Sequence, residues 1–142
     1  MLEWPHFIMM PATFRKILSD QFHLDSFRRG QMEIISSVLE KRDVLAVLPT
    51  GGGKSLCFQF PAVVRQELVI VISPLIALMK DQVASLERNS IPAACLHSQQ
   101  SEEEKLSVFR KMRGGGPFVL YLSPERAQKD GFRRWIQGRP IA

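Results

Sequence analysis

Val44-Leu45-Ala46-Val47-Leu48-Pro49-Thr50-Gly51-Gly52-Gly53-Lys54-Ser55 is the stretch on which the reading of this chain turns. Five apolar residues in a row, stopped by a turn, read as a short strand buried on both faces. The segment after the turn reads as a helix from about Lys54. Three consecutive glycines let the backbone take dihedrals closed to other residues and aim its N–H groups at one point. A helix N-terminus placed there adds partial positive charge, so the loop is built for an anion. Lys54 is then positioned to reach the β- and γ-phosphates of a nucleotide, and the Ser55 hydroxyl to meet Mg2+. Thr50, Gly51, Gly52, Gly53, Lys54 and Ser55 are therefore the candidate triphosphate cradle, with Lys54 and Ser55 its catalytic pair. The general phosphate-loop pattern has a further glycine where this chain has Leu48. A glycine-rich turn with a solvated lysine is the plain alternative. It explains neither the strand before the loop nor the helix after it. Such a loop signals nucleoside triphosphate binding and no particular reaction.

Working outward, the same unit repeats. Leu68–Ile72 is an apolar run halted by Ser73-Pro74 and followed by a helical segment to about Arg88. Ala93–Leu96 is a weaker strand candidate. Glu102–Met112 has helical character, with Ser101 and Glu104 spaced as a capping box. Phe118–Leu122 is a third strong strand, again halted by Ser-Pro. Continuous apolar strands alternating with helices predict an α/β fold: a doubly wound parallel sheet with helices on both faces. Ligands bind such sheets at the carboxyl ends of strands, here residues 49–55, 73–75 and 123–126. Upstream, the first dozen residues, with Pro5 and Pro11, read as irregular. Ala12–Asp20 reads as a helix presenting Phe14, Ile17 and Leu18, and Arg29–Glu40 as another with Met32, Ile35 and Leu39 as its stripe. The expected organisation is a lead over 1–21 and a nucleotide-binding domain over 22–142.

The 142 residues suit one domain, and 45% hydrophobic with 23% charged residues fits a globular protein. No run of about 18 apolar residues occurs and the start lacks signal-peptide character, so no membrane association and a cytoplasmic, nucleoid or nuclear location are expected. Cys57 and Cys95 are too few and too far apart for a disulfide framework or zinc site and read as buried thiols. The net charge of +5 is compatible with a polyanionic partner. Its cations are scattered along the chain, so only the fold can gather them.

Four stretches in order, Phe27-Arg28-Arg29-Gly30-Gln31, Leu48 to Phe58, Ile72 to Gln82 and Tyr121-Leu122-Ser123-Pro124-Glu125-Arg126, resemble successive motifs of the RecQ family of ATP-dependent DNA helicases. The resemblance runs from about Phe22 to Arg126. It implies a P-loop NTPase fold of the RecA-like kind, incomplete at the C-terminus, with ATP and Mg2+ as cofactors and single-stranded and branched DNA as partners. Gln31, 23 positions before Lys54, stands where the family reads adenine. A side-chain amide can donate to adenine N7 and accept from its N6, whereas guanine offers two acceptors there. The bland reading of Gln31 is an exposed polar residue on a helix. Arg28 is expected over the base or near the phosphates. Leu24 falls where some relatives carry an aromatic, implying weaker stacking on the base. Ser73, Pro74 and Leu75, with Lys80 further along, resemble the grip on single-stranded DNA, and Pro74 suits a first helical turn. The bland reading packs Leu75, Leu78 and Met79 into the core. Ser123, Pro124 and Arg126 are implied to lie along the same DNA path, with Arg126 free to pair with Glu125 or with a phosphate. His97, after the weak strand, reads as a surface residue without a role.

ATP hydrolysis also needs an acidic motif and an arginine that stabilises the transition state. The family's Asp-Glu-x-His run is absent from these 142 residues. The implied parent activity is 3′ to 5′ translocation on single-stranded DNA and duplex unwinding, which needs a second RecA-like domain. This chain alone is expected to hydrolyse ATP poorly and to be marginally soluble. Two readings compete: a catalytically dead nucleotide- or DNA-binding remnant of a truncated gene, and a small-molecule kinase. The adenine glutamine and the paired Ser-Pro strand ends speak against the kinase.

Overall fold

Phe118–Leu122 forms the middle strand of the sheet, and all five of its residues are buried. The computed structural model describes residues 11–142, so the expected irregularity of residues 1–10 lies outside the described residues. In chain order the elements are α1 (Ala12–Phe22), α2 (Gln31–Leu39), α3 (Lys54–Arg65), β1 (Leu68–Ile72), α4 (Ile76–Arg88), β2 (Ala93–Leu96), α5 (Glu102–Lys111), a 3-10 turn over Met112–Gly114, β3 (Phe118–Leu122), α6 (Pro124–Ala127) and α7 (Asp130–Ile136). The sheet order is β1-β3-β2 and both pairings are parallel, with Leu68 opposite Phe118 and Ala93 opposite Val119. The three strands and the α/β architecture match the sequence expectation residue for residue.

Side chains alternate across a strand, so β3 feeds two cores. Val119 and Tyr121 pack with Ala62, Val63, Met79 and Leu86 of α3 and α4. Phe118, Leu120 and Leu122 pack with Val108, Met112 and Phe132 on the other face. A third cluster joins α1 and α2 to α3. Phe14, Phe22 and Phe27 surround Phe60, with ring centroids 5.4, 5.7 and 5.1 Å away. Leu18 and Ile35 are fully buried there, as the helical stripes predicted.

The capping box forms as expected: the Glu104 backbone N–H donates to Ser101 Oγ (3.2 Å) and the Ser101 N–H to Glu104 Oε2 (2.6 Å). No described helix is long and apolar enough to cross a membrane.

Three expectations need correction. The Val44–Leu48 run is not a strand; Leu45 is 94% and Val47 89% exposed. A strand requires a neighbouring backbone, and among the described residues none lies beside this run. The free edge of β1 is met only at one point, by a parallel bridge from Ile141 to Leu68 and a hydrogen bond from the Ala142 N–H to the Leu68 carbonyl (3.0 Å). Next, α4 begins at Ile76, with Pro74 before the helix and Leu75 as its N-cap. Its buried stripe runs through Ile76, Met79, Val83 and Leu86, so Leu75 and Leu78 fall on the outer side and stay exposed. Finally, α2 begins at Gln31, because Gly30 takes a left-handed conformation (φ 85°) that a helix cannot continue.

Candidate functional site

The phosphate loop owes its shape to its glycines. Gly51 and Gly53 sit at φ 77° and 75°, a region costly for any L side chain. At Gly52 a Cβ would come within 2.8 Å of the Pro49 carbonyl, the acceptor of the Gly52 N–H (2.9 Å). The loop feeds directly into α3. The first N–H groups of any helix lack intrahelical acceptors, and here no side chain caps them. Lys54 is exposed and forms no ion pair among the described residues; Ser55 beside it is half-buried and Thr50 exposed. Open N–H groups, a helix N-terminus and an uncommitted lysine suit a polyphosphate with its divalent cation.

Gln31 is 2% exposed and lies directly against this loop, which rules out the exposed-polar reading. Its Nε2 donates to the Gly53 carbonyl (2.9 Å), and its Oε1 accepts from the Arg28 backbone N–H (2.7 Å). The Arg28 guanidinium donates to the Gly51 carbonyl. Two residues from the α2 approach thus hold two carbonyls of the loop. The Gln31 amide is bonded once at each end, which leaves one N–H hydrogen and one oxygen lone pair to meet a purine. Leu24 does not join this group: it is 42% exposed. Phe27, three residues on, turns inward onto Phe60.

The strand ends form a row. The Ser73 N–H donates to the Leu122 carbonyl (2.9 Å) and the Ser123 N–H to the Leu96 carbonyl (3.1 Å), which sets the loops after β1, β3 and β2 side by side. Ser73 Oγ accepts from the Leu75 N–H (3.3 Å). Pro124 occupies the first turn of α6, the role that the sequence suggested for Pro74. Ser123 is buried, and among the described residues neither its Oγ nor the buried Nε of Arg126 has a partner. Arg126 and Glu125 form no ion pair among the described residues, so that alternative falls away. Lys80 is exposed on α4, and its charge reaches Cys95 and His97.

His97 corrects the surface reading: it is 2% exposed, with Nδ1 unpartnered. Gln100 fixes its loop, accepting from the His97 N–H (2.9 Å) and donating to the Cys95 carbonyl (2.9 Å). Burial first, then Lys80, lowers the imidazole pKa below its usual value. Of the two thiols, Cys57 is buried and Cys95 half-buried, and burial pushes both up in pKa.

Sequence reasoning passed over one polar group. Gln59 Nε2 donates to Gln82 Oε1 (2.8 Å) and to Tyr121 Oη (3.0 Å), joining α3, α4 and β3. The signal was present: Gln59 is the polar residue in the otherwise apolar run Leu56-Cys57-Phe58-Gln59-Phe60.

The family described as DEAD/DEAH box helicase matches residues 28–137, which include the phosphate loop, Gln31 and both Ser-Pro strand ends. The chain belongs to the DEAD/DEAH box helicase family. Within that family it is 54% identical over 101 residues to an ATP-dependent DNA helicase RecQ of Synechocystis sp., covering 71% of this chain and 21% of the relative. The protein of the same name from Haemophilus influenzae is 44% identical over 129 residues, 91% of this chain and 21% of the relative. That from Bacillus subtilis is 43% identical over 125 residues, 87% and 21%. The chain spans about a fifth of the length of these helicases.

Proposed function

We propose that this chain supplies the adenine- and phosphate-binding part, and part of the DNA path, of a RecQ-type ATP-dependent DNA helicase. The observation that carries the reading is the contact of Gln31 with the Gly53 carbonyl, which joins the purine-reading amide to the phosphate cradle across 22 residues. Gln31 reads adenine, with Arg28 beside it. Thr50, Gly51, Gly52 and Gly53 enclose the phosphates, Lys54 compensates their charge, and Ser55 holds the divalent cation. Bound there, Mg2+ neutralises charge on the β- and γ-oxygens. Ser73, Pro74, Leu75, Lys80, Ser123, Pro124 and Arg126 meet the phosphates of single-stranded DNA, which position the strand without reading its sequence. The orphaned Ser123 Oγ and Arg126 Nε favour this, because buried polar atoms without partners are uncommon and a phosphate would supply acceptors. A second RecA-like domain completes hydrolysis, and the parent protein moves 3′ to 5′ on single-stranded or branched DNA in repair and recombination inside the cell.

The test is competition of ATP and GTP against a fluorescent ATP analogue. Wild type prefers ATP. Loss of a bidentate base contact costs about 1–3 kcal/mol, so Gln31→Ala reduces that preference roughly tenfold. Lys54→Ala abolishes binding of either triphosphate. An unchanged preference in Gln31→Ala removes the adenine assignment, and failure of wild type to bind any nucleotide removes the whole reading.

A further inference from the structure

The helix that carries the phosphate cradle and the two elements that carry the Ser-Pro ends meet inside the protein at one polar group. Gln59 lies five residues beyond Lys54 on α3. Gln82 lies on α4, the helix that follows Ser73-Pro74-Leu75, and Tyr121 lies two residues before Ser123 on β3. The Gln59 amide donates one hydrogen to Gln82 Oε1 (2.8 Å) and one to Tyr121 Oη (3.0 Å), and the Tyr121 hydroxyl donates to the same Gln82 oxygen (3.4 Å). The ring is closed and shared by three elements. Its neighbours are apolar: Ala62, Val63, Met79 and Val119 belong to the same core, and Phe58 stands edge-on to Tyr121 at 6.4 Å. Gln59 is 8% and Tyr121 2% exposed, and Gln82 is half-buried. Burial raises the pKa of the Tyr121 hydroxyl, keeping it a neutral donor.

An apolar core could fill this space without three polar groups. A buried hydrogen-bonded network differs from apolar packing in being all or nothing: its members satisfy one another in one arrangement and are costly to leave half-paired. Sliding α3 against α4 therefore breaks or remakes the set as a unit. A ligand seated in the cradle has a direct route to α3, because Arg28 and Gln31 hold the Gly51 and Gly53 carbonyls and Gly53 is the N-cap of α3.

We propose that Gln59, Gln82 and Tyr121 are positioning residues that couple nucleotide occupancy at 51–55 to the DNA-gripping loops at 73–75 and 123–126. This rests on the nucleotide and DNA reading of those loops. The three residues touch neither ligand. They act by making one position of α3 relative to α4 and β3 favourable, so that a ligand shifting α3 shifts the strand-end loops with it.

The test is a linkage measurement on the full-length protein. Affinity for a fluorescently labelled oligothymidylate is measured by anisotropy, with and without the non-hydrolysable analogue adenosine 5′-(β,γ-imido)triphosphate. Wild type shows a ratio of the two affinities of about fivefold or more in either direction. Tyr121→Phe, which keeps the ring and removes only the O–H, and Gln82→Met bring that ratio to within twofold of one. Both keep the separate nucleotide affinity of the wild type and stay cooperatively folded, with a melting temperature lowered by a few degrees. Gln82→Glu retains the oxygen that accepts both hydrogen bonds and retains the ratio. A wild-type ratio in Tyr121→Phe and Gln82→Met overturns the proposal, as does loss of coupling only together with loss of folding. A wild-type protein that binds no DNA fails at the earlier step and overturns the DNA reading itself.

Discussion

Replacing Gly53 by alanine probes the joint between the cradle and Gln31 from both sides. At φ 75° an alanine incurs about 1–2 kcal/mol of left-handed strain. Its Cβ would also stand inside contact distance of Gln31 Nε2, so the amide must leave. Gln31 is buried and bonded at both ends, and breaking those bonds leaves the Gly53 carbonyl and Arg28 N–H without their partners. Each of the two lost hydrogen bonds is worth about 0.5–1.5 kcal/mol, so with the strain Gly53→Ala should destabilise by roughly 2–5 kcal/mol in total. In a Gln31→Ala background the clash is gone and only the backbone strain remains, about 1–2 kcal/mol. The double-mutant cycle should therefore show a coupling energy of about 1–3 kcal/mol, the double variant being more stable than the sum of the singles implies. Urea unfolding followed by far-UV circular dichroism measures it. Additivity within about 0.5 kcal/mol at unchanged m-values would refute the Gln31–Gly53 contact and the shared cradle built on it.

Other outcomes follow from the same structure. Lys54→Ala should abolish nucleotide binding while leaving the melting temperature within a degree or two, since the side chain is exposed and unpaired; a large loss of stability would contradict that position. Ser101→Ala removes the α5 cap and should cost about 1 kcal/mol, read as a shift in the urea midpoint. His97 has a folded pKa below its ordinary 6.5, so the unfolded chain binds more protons just under that pH. Its contribution is complete above pH 6.5 and declines as pH falls from there towards the folded pKa. His97→Asn should flatten the stability profile just below pH 6.5, and an unchanged slope there would remove His97 as its source. Leu45→Lys with Val47→Lys should raise the monomeric concentration of the 142-residue chain in light scattering, because both side chains face water; unchanged aggregation would locate the sticky surface elsewhere.

The three strands of the sheet were legible because each is a continuous apolar run closed by a turn, a pattern that survives any arrangement of neighbours. The capping box was legible because its partners lie three residues apart, and the stripe of α1 because its apolar spacing is local, although Phe60, on which it packs, is distant. Val44–Leu48 carries the same apolar pattern and forms no strand. A strand is a property of two backbones, and composition reports on only one. Pro74 and Pro124 follow a similar Ser-Pro pattern, yet only Pro124 enters a helix, since Met79 and Leu86 fix the phase of α4 and start it at Ile76.

By itself the sequence determined the chemistry available: the glycines, lysine and serine of the loop, the glutamine 23 positions before the lysine, and Ser-Pro at two strand ends. It could not say that Gln31 is buried, because polarity alone argues for exposure. Only packing decided that, by setting α2 against α3 so that Gln31 meets the Gly53 carbonyl. Tertiary structure also turned Gln59, Gln82 and Tyr121 into one hydrogen-bonded ring. Their separations of 23, 39 and 62 residues carry no local periodicity, and a polar group enters a core only where distant partners satisfy it.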